Sequence, residues 1–259
     1  MNADGTAPSP LTADSADCYS PVWSPNGTKI AFMSANKGNI DLYRMNAAGG
    51  DKIRLTDDPG LDAVPRWSPD GQKIAFVRSN EGAEDISERL EIWIMQSDGT
   101  HQTRLTRNSA YDGGAAWSPN GTKIAFESMR DGNFELYSMN PDGTGQTRLT
   151  DNNDEDRGPS WAPDGKKILF ERGRPRDIYV MDANGENETR LTDDPAWDFV
   201  PQWSPDGSRI VFMRVIPGPG KSPHGGDEEI HVMNADGSQV RRLTYALGVD
   251  YAPSWRPRR

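Results

Sequence analysis

Trp117-Ser118-Pro119-Asn120-Gly121-Thr122-Lys123-Ile124-Ala125-Phe126 reads as the end of one strand, a tight turn and the start of a second strand. Pro at the second turn position presets φ, Asn tolerates the third, and Gly closes the turn. The Ile-Ala-Phe that follows is almost continuously apolar, as expected of a strand covered on both faces. Its small Ala125 lies on the face opposite the large Ile124 and Phe126, which lets neighbouring sheets approach closely. Working outward, residues 115–117 are the strand before the turn and residues 134–139 a third strand. Asn140-Pro141-Asp142-Gly143 is the next turn, and residues 146–150 form an outer fourth strand. The tryptophan of this motif returns at Trp23, Trp67, Trp117, Trp161, Trp203 and Trp255, at intervals of 44, 50, 44, 42 and 52 residues. A period in the forties holding four short strands is the mark of a β-propeller, whose blades cannot bury both faces alone and must stack.

The other parts recur in phase. The second strand returns as Ile30-Ala31-Phe32, Ile74-Ala75-Phe76, Ile168-Leu169-Phe170 and Ile210-Val211-Phe212. The outer strand ends in Leu-Thr at Leu11, Leu55, Leu105, Leu149, Leu191 and Leu243. Each buried Ile, Phe, Leu or Trp contributes roughly 1.5–3 kcal/mol before entropy is charged, so the repeating tryptophans are expected in the core. At the ends, residues 1–12 match the close of a third strand and a fourth, and residues 250–255 match a first strand. The expected fold is therefore all-β: a β-propeller of four-stranded antiparallel blades in a six-fold ring. Five blades are complete, and a sixth, incomplete one is shared by the two termini, in a single domain over residues 1–259. The sixth blade lacks an Ile-Ala-Phe strand. Met1 aligns with Met45, Met95, Met139, Met181 and Met233, so the chain is expected to begin at an internal methionine of a longer reading frame. A gapped ring and a strand donated by another chain are the alternatives; a ring that closes on itself is a monomer.

The net charge of −10 and a pI near 4.8 argue against nucleic acid or an anionic membrane as partner. No apolar run is long enough for a spanning helix, and no basic-then-apolar leader precedes the first repeat. Cys18 is the single cysteine, so no internal disulfide forms and the compartment stays open, cytoplasm included.

Candidate function lies where the repeat departs from itself. The two long intervals arise from insertions between second and third strands, at residues 80–90 and 215–228. Three blades apart in a six-fold ring, they face each other across the tunnel mouth. Glu84, Asp85, Arg89, Lys221, His224 and Asp227 are the candidate binding residues there, since binding groups favour loops on a rigid scaffold. Drift in tolerant loops is the other reading. On the same face an acid stands five residues before the tryptophan or its equivalent at Asp62, Asp112, Asp156, Asp198 and Asp250, with Cys18 in the first blade. Crowded carboxylates without His or Cys suit a hard cation such as Ca²⁺ or Mg²⁺. Equally, each Asp caps its own loop by accepting backbone N–H bonds. The acids Asp41, Glu91, Glu135, Asp177 and Glu229 recur with Arg54, Arg104, Arg148, Arg190 and Arg242, and cross-strand or interblade pairing is expected.

Signals of catalysis are sparse. There is no Gly-x-Ser-x-Gly elbow, and Gly220-Lys221-Ser222 lacks the earlier glycine and the helix of a phosphate loop. His231 takes the aromatic slot of Tyr43, Trp93, Tyr137 and Tyr179 and reads as packing. The chain is expected not to be an enzyme.

The run Asp-x-x-Pro-x-Trp-Ser-Pro-Asp-Gly-x-Lys-Ile-Ala-Phe at Asp62 onward, Asp-Ile-Tyr-x-Met-Asp-x-Asn-Gly at Asp177 onward, and Arg190-Leu191-Thr192 resemble the TolB-like β-propeller repeat, a WD-repeat-like propeller. The resemblance covers essentially the whole chain and implies six blades. It also implies a periplasmic or secreted location and a non-catalytic protein-protein interaction module, whose relatives bind an envelope lipoprotein. Similar propellers cap peptidases of the prolyl-oligopeptidase type or serve carbohydrate-active enzymes, which is the alternative.

Overall fold

The computed structural model describes residues 11–12, 17–36, 39–79, 90–216 and 227–245. The chain divides into two compact units, Met1–Arg107 and Asn108–Arg259. In the first unit, β1 (Cys18–Trp23), β2 (Lys29–Asn36), β3 (Asn39–Asn46) and β4 (Ile53–Arg54) make blade one. Blade two is β5 (Asp62–Trp67), β6 (Lys73–Ser79), β7 (Leu90–Gln96) and β8 (Thr103–Arg104). In the second unit, β9 (Asp112–Trp117), β10 (Ile124–Ser128), β11 (Glu135–Met139) and β12 (Thr147–Arg148) make blade three. Blade four is β13 (Asp156–Trp161), β14 (Lys167–Arg172), β15 (Asp177–Asp182) and β16 (Thr189–Arg190). Blade five is β17 (Trp197–Trp203), β18 (Arg209–Ile216), β19 (Asp227–Asn234) and β20 (Arg241–Arg242). Every blade runs antiparallel in sequence order. The described residues thus hold five blades. The expected sixth falls outside them, apart from Leu11 and Thr12.

The turn motif works as its residues dictate. Gly27, Gly71, Gly121, Gly165 and Gly207 have φ between 67° and 71°, where a side chain is strained. In the first turn Ser24 Oγ accepts the Lys29 N–H at 2.9 Å, and the Gly27 N–H donates to Ser24 O at 2.8 Å. The first strand opens at the acid five residues before the tryptophan in blades two to four. The outer strand is shorter than the sequence suggested, because the third-strand N–H that would extend the ladder donates to a threonine hydroxyl instead: Leu42 to Thr56 Oγ1 at 3.0 Å, Leu136 to Thr150 Oγ1 at 2.9 Å.

Packing explains Ile-Ala-Phe. In the first unit Ala31, Leu42 and Leu55 of blade one cluster with Trp67, Ile74, Phe76 and Met95 of blade two. In the second unit Ala125, Leu136 and Leu149 meet Ile168, Phe170 and Met181. Leu169, Ile178 and Val180 in turn meet Ile210, Phe212 and Met233. The small middle residue faces the next blade, and the Ile and Phe face the preceding one. The tryptophan belongs to the second set: Trp67 Nε1 donates to Val22 O at 3.2 Å, and Trp161 Nε1 to Ala116 O at 3.1 Å. Trp23 departs from the expected core role. It is 49% exposed, because the face it presents is the one its counterparts turn to a preceding blade.

The second turn sets the spacing. A Cβ placed on Gly99 would lie 2.7 Å from Leu55 O, one on Gly185 2.5 Å from Leu149 O, and one on Gly237 2.8 Å from Leu191 O. Only glycine lets this turn sit against the outer-strand leucine of the blade before. A Cβ on Gly49 would meet Leu11 O at 2.7 Å, so Leu11 takes the same seat against blade one.

Candidate functional site

The acids that open or nearly open each first strand are buried, and each meets an arginine from the second strand or just beyond it. Arg78 Nε and Nη2 donate to Asp62 Oδ1 and Oδ2 at 2.6 and 2.9 Å. Arg172 does the same to Asp156 at 2.6 and 2.7 Å, and Arg214 to Asp198 at 2.7 and 2.8 Å. In blade three the arginine comes from the following loop: Arg130 Nη2 reaches Asp112 Oδ1 at 3.0 Å, and Asn108 holds the other oxygen. Each of these four acids thus has a guanidinium as its charge partner. Among the described residues no three His, Cys, Asp or Glu side chains converge as a metal-binding group.

Each guanidinium then crosses the blade. Arg78 lies 5.3 Å over Phe76 and 4.7 Å over Trp93, Arg130 over Phe126 and Tyr137, and Arg172 over Phe170 and Tyr179. In blades two to four the guanidinium also donates to the outer segment: Arg78 Nη2 to Gln102 Oε1, Arg130 Nη1 to Gln146 Oε1, Arg172 Nη1 to Glu188 Oε2. One side chain therefore ties first strand, aromatic pair and outer segment together through charge-assisted and cation–π contacts. Sequence reasoning missed these arginines. The signal was a basic residue soon after each Ile-x-Phe.

Blade one differs. Cys18 stands opposite Ser34 in register, with Sγ 3.8 Å from Oγ, so both charges are replaced by small neutral groups. The aromatic pair remains, Phe32 stacked on Tyr43 at 5.9 Å. Its cation is Lys52, whose Nζ lies 4.9 Å over Tyr43. Lys52 stands where Gln102, Gln146 and Glu188 stand in other blades.

The second repeating pair is cross-strand, as expected. Arg54 pairs with Asp41, Arg104 with Glu91, Arg148 with Glu135, Arg190 with Asp177 and Arg242 with Glu229. Arg104, Arg148 and Arg190 also donate through Nε to the carbonyl of the threonine two residues on, each at 2.7 Å. That threonine's Oγ1 accepts a third-strand N–H, as Thr150 does from Leu136 at 2.9 Å. Arg-Leu-Thr is thus a clasp: Arg bonds, Leu packs, Thr caps.

Burial pushes the Asp62 and Asp156 carboxyls up, and Arg78 and Arg172 pull them down without cancelling it. A raised folded-state value gives stability that is present below the ordinary 3.8 and lost as pH rises through the folded value. The turn acid Asp70 runs the other way. The Ser68 hydroxyl and the Gln72 N–H hold it low, and its contribution is present above 3.8 and lost as pH falls through the depressed value.

Of the candidate binding residues, Glu84, Asp85, Arg89, Lys221 and His224 lie outside the described residues, as does Asp250. Asp227 opens β19, its backbone paired with Ile216. Within the insertions at 80–90 and 215–228, Leu90 opens β7, Val215 and Ile216 close β18, and Asp227 and Glu228 open β19. No helix among the described residues is long and apolar enough to cross a membrane.

These parts define an all-β propeller of four-stranded antiparallel blades whose repeating charges are used in holding the blades together. A family profile described as the TolB beta propeller domain matches residues 1–176 and 170–259, and the chain belongs to that family. The Tol-Pal system protein TolB of Coxiella burnetii is 38% identical over 61 residues, which are 24% of this chain and 14% of that protein. A structure assigned to TolB of Agrobacterium tumefaciens superposes with a TM-score of 0.76 at 27% identity, over 90% of this chain and 83% of that one. TolB from Acinetobacter baumannii gives 0.76 at 25% identity, over 95% of this chain and 59% of that one. A puromycin hydrolase at 17% identity and a TM-score of 0.68 shares the fold alone.

Proposed function

We propose that the chain is a non-catalytic, six-bladed protein-binding module of the bacterial envelope, acting in the manner of a Tol-Pal system protein in the periplasm. The observation that carries this reading is the consumption of the repeating charges. Acids and arginines common to the blades bond one another, so recognition falls to what the blades do not share. The unshared parts are the insertions at residues 80–90 and 215–228, whose ends run into β7, β18 and β19, with Glu84, Asp85, Arg89, Lys221, His224 and Asp227. Family membership supports an envelope partner, and the seat of Leu11 against Gly49 supports a sixth blade. Titration calorimetry against the soluble domain of the cognate peptidoglycan-associated lipoprotein tests it. Saturable binding is expected in the wild-type chain, and its loss when residues 80–89 and 217–226 are both replaced by Asn-Gly turns. No binding, or binding indifferent to the replacement, overturns it.

A further inference from the structure

Blade five holds a buried histidine in a seat that is aromatic and uncharged in every other described blade. His231 stacks on Phe212 at 5.7 Å, where Tyr43, Trp93, Tyr137 and Tyr179 meet Phe32, Phe76, Phe126 and Phe170. It is 8% exposed, and its Nδ1 lies 3.2 Å from Glu229 O, to which the Nδ1–H donates in the neutral ring. Arg214 lies over the same Phe212 ring at 5.3 Å. Blade five also lacks the outer acceptor, with Val240 where Gln102, Gln146 and Glu188 stand.

We propose that blade five is an acid-sensitive latch, in which protonation of His231 unseats the ring from Phe212 and loosens the hairpin of β18 and β19. Charged groups surround the ring from each strand: Asp198 from β17, Arg214 from β18, Glu229 from β19 itself and Arg242 from β20. Asp177 of blade four and Asp194 of the loop before β17 act on Arg214. The described contacts of the ring include no carboxylate. An imidazolium here would be a buried charge beside two arginines, and the ring escapes that penalty by moving to water. Burial holds the His231 value below its ordinary 6.5; the bond to the Glu229 carbonyl and the Asp198 charge pull it up, the Arg214 and Arg242 charges push it down, and the net direction is down. A depressed folded-state value means that this residue's contribution is present above 6.5 and lost as pH falls through the folded value. The hairpin affected pairs continuously from Arg209 and Asn234 to Ile216 and Asp227, and residues 217–226 join its strands. The inference does not depend on what that loop binds.

Hydrogen exchange read by mass spectrometry tests it, on peptides covering residues 209–216 and 227–234 at pH 7.5 and 5.5, corrected for intrinsic rates. In the wild-type chain protection there should fall at the lower pH by up to about tenfold, the limit that linkage sets one pH unit below the ordinary 6.5. In His231→Tyr and His231→Phe, which place the side chains of the sister seats, protection should hold. Peptides from β10 and β11 should be unchanged throughout. Unchanged wild-type protection, or an equal fall in wild type and both variants, overturns the proposal.

Discussion

Arg78→Ala lowers the free energy of unfolding by about 3–5 kcal/mol, the cost of stranding a buried charge. Asp62 is wholly buried and takes two hydrogen bonds from Arg78, and the same guanidinium covers Phe76 and Trp93 and reaches Gln102. The substitution removes all of these and leaves the carboxylate behind. For a chain of this size the melting temperature should fall by roughly 10 °C, at about 2–4 °C per kcal/mol. The double replacement Asp62→Leu with Arg78→Met should restore most of the loss, because an apolar pair of similar volume often matches a buried ion pair. Blade one supports this, since Cys18 and Ser34 stand in register at these two positions with no charge between them. Urea denaturation of the single and double variants measures both. If the single change costs under about 1 kcal/mol, the pair is a bystander rather than a tie.

Gly185→Ala should destabilise by about 2–4 kcal/mol, while Gly165→Ala costs only about 1–2 kcal/mol. Both glycines sit at positive φ, 89° and 71°, so both substitutions carry the left-handed backbone penalty. They differ in what the new methyl meets. At Gly185 it would lie 2.5 Å from Leu149 O and 3.1 Å from Leu149 Cα, backbone atoms of the blade before. At Gly165 its nearest neighbour is Pro119 Cδ at 3.7 Å, an ordinary contact. The difference between the two isolates the cost of forcing blades four and three apart. Equal losses, measured by the same denaturation, would show that backbone strain alone sets the requirement for glycine.

What was legible in the sequence follows the length of chain between partners. The acid of the third strand and the arginine of the outer strand lie 13 residues apart in all five blades, within a hairpin of constant length, and their pairing could be read directly. The first-strand acid and its arginine stand in register in three blades, and the other two depart from that pattern. The separation is 16 residues in blades two, four and five, 18 in blade three, and blade one has no such pair. Two exceptions in five blades break the phase of the set, so the arginine partners of these acids went unread. The turn and Ile-Ala-Phe were legible because their reasons are local: a φ preset by proline, a left-handed glycine, and a small residue facing the next sheet. The exposure of Trp23 was not, since it depends on what lies against blade one rather than on the motif.

Lys52 over Phe32 and Tyr43 carries a lesson for anyone assembling new propellers from these repeats. The cation's seat belongs to the pair of rings, and the chain can deliver the charge to it from either side. Delivered from the second strand or just beyond it, the charge comes as an arginine paired with an acid inside and, in blades two to four, with an amide or acid outside. Delivered from the outer segment, it comes as a lysine and releases both inner positions to small neutral residues. A consensus averaged column by column would mix the two wirings and leave a blade with two cations on one pair of rings, or with none.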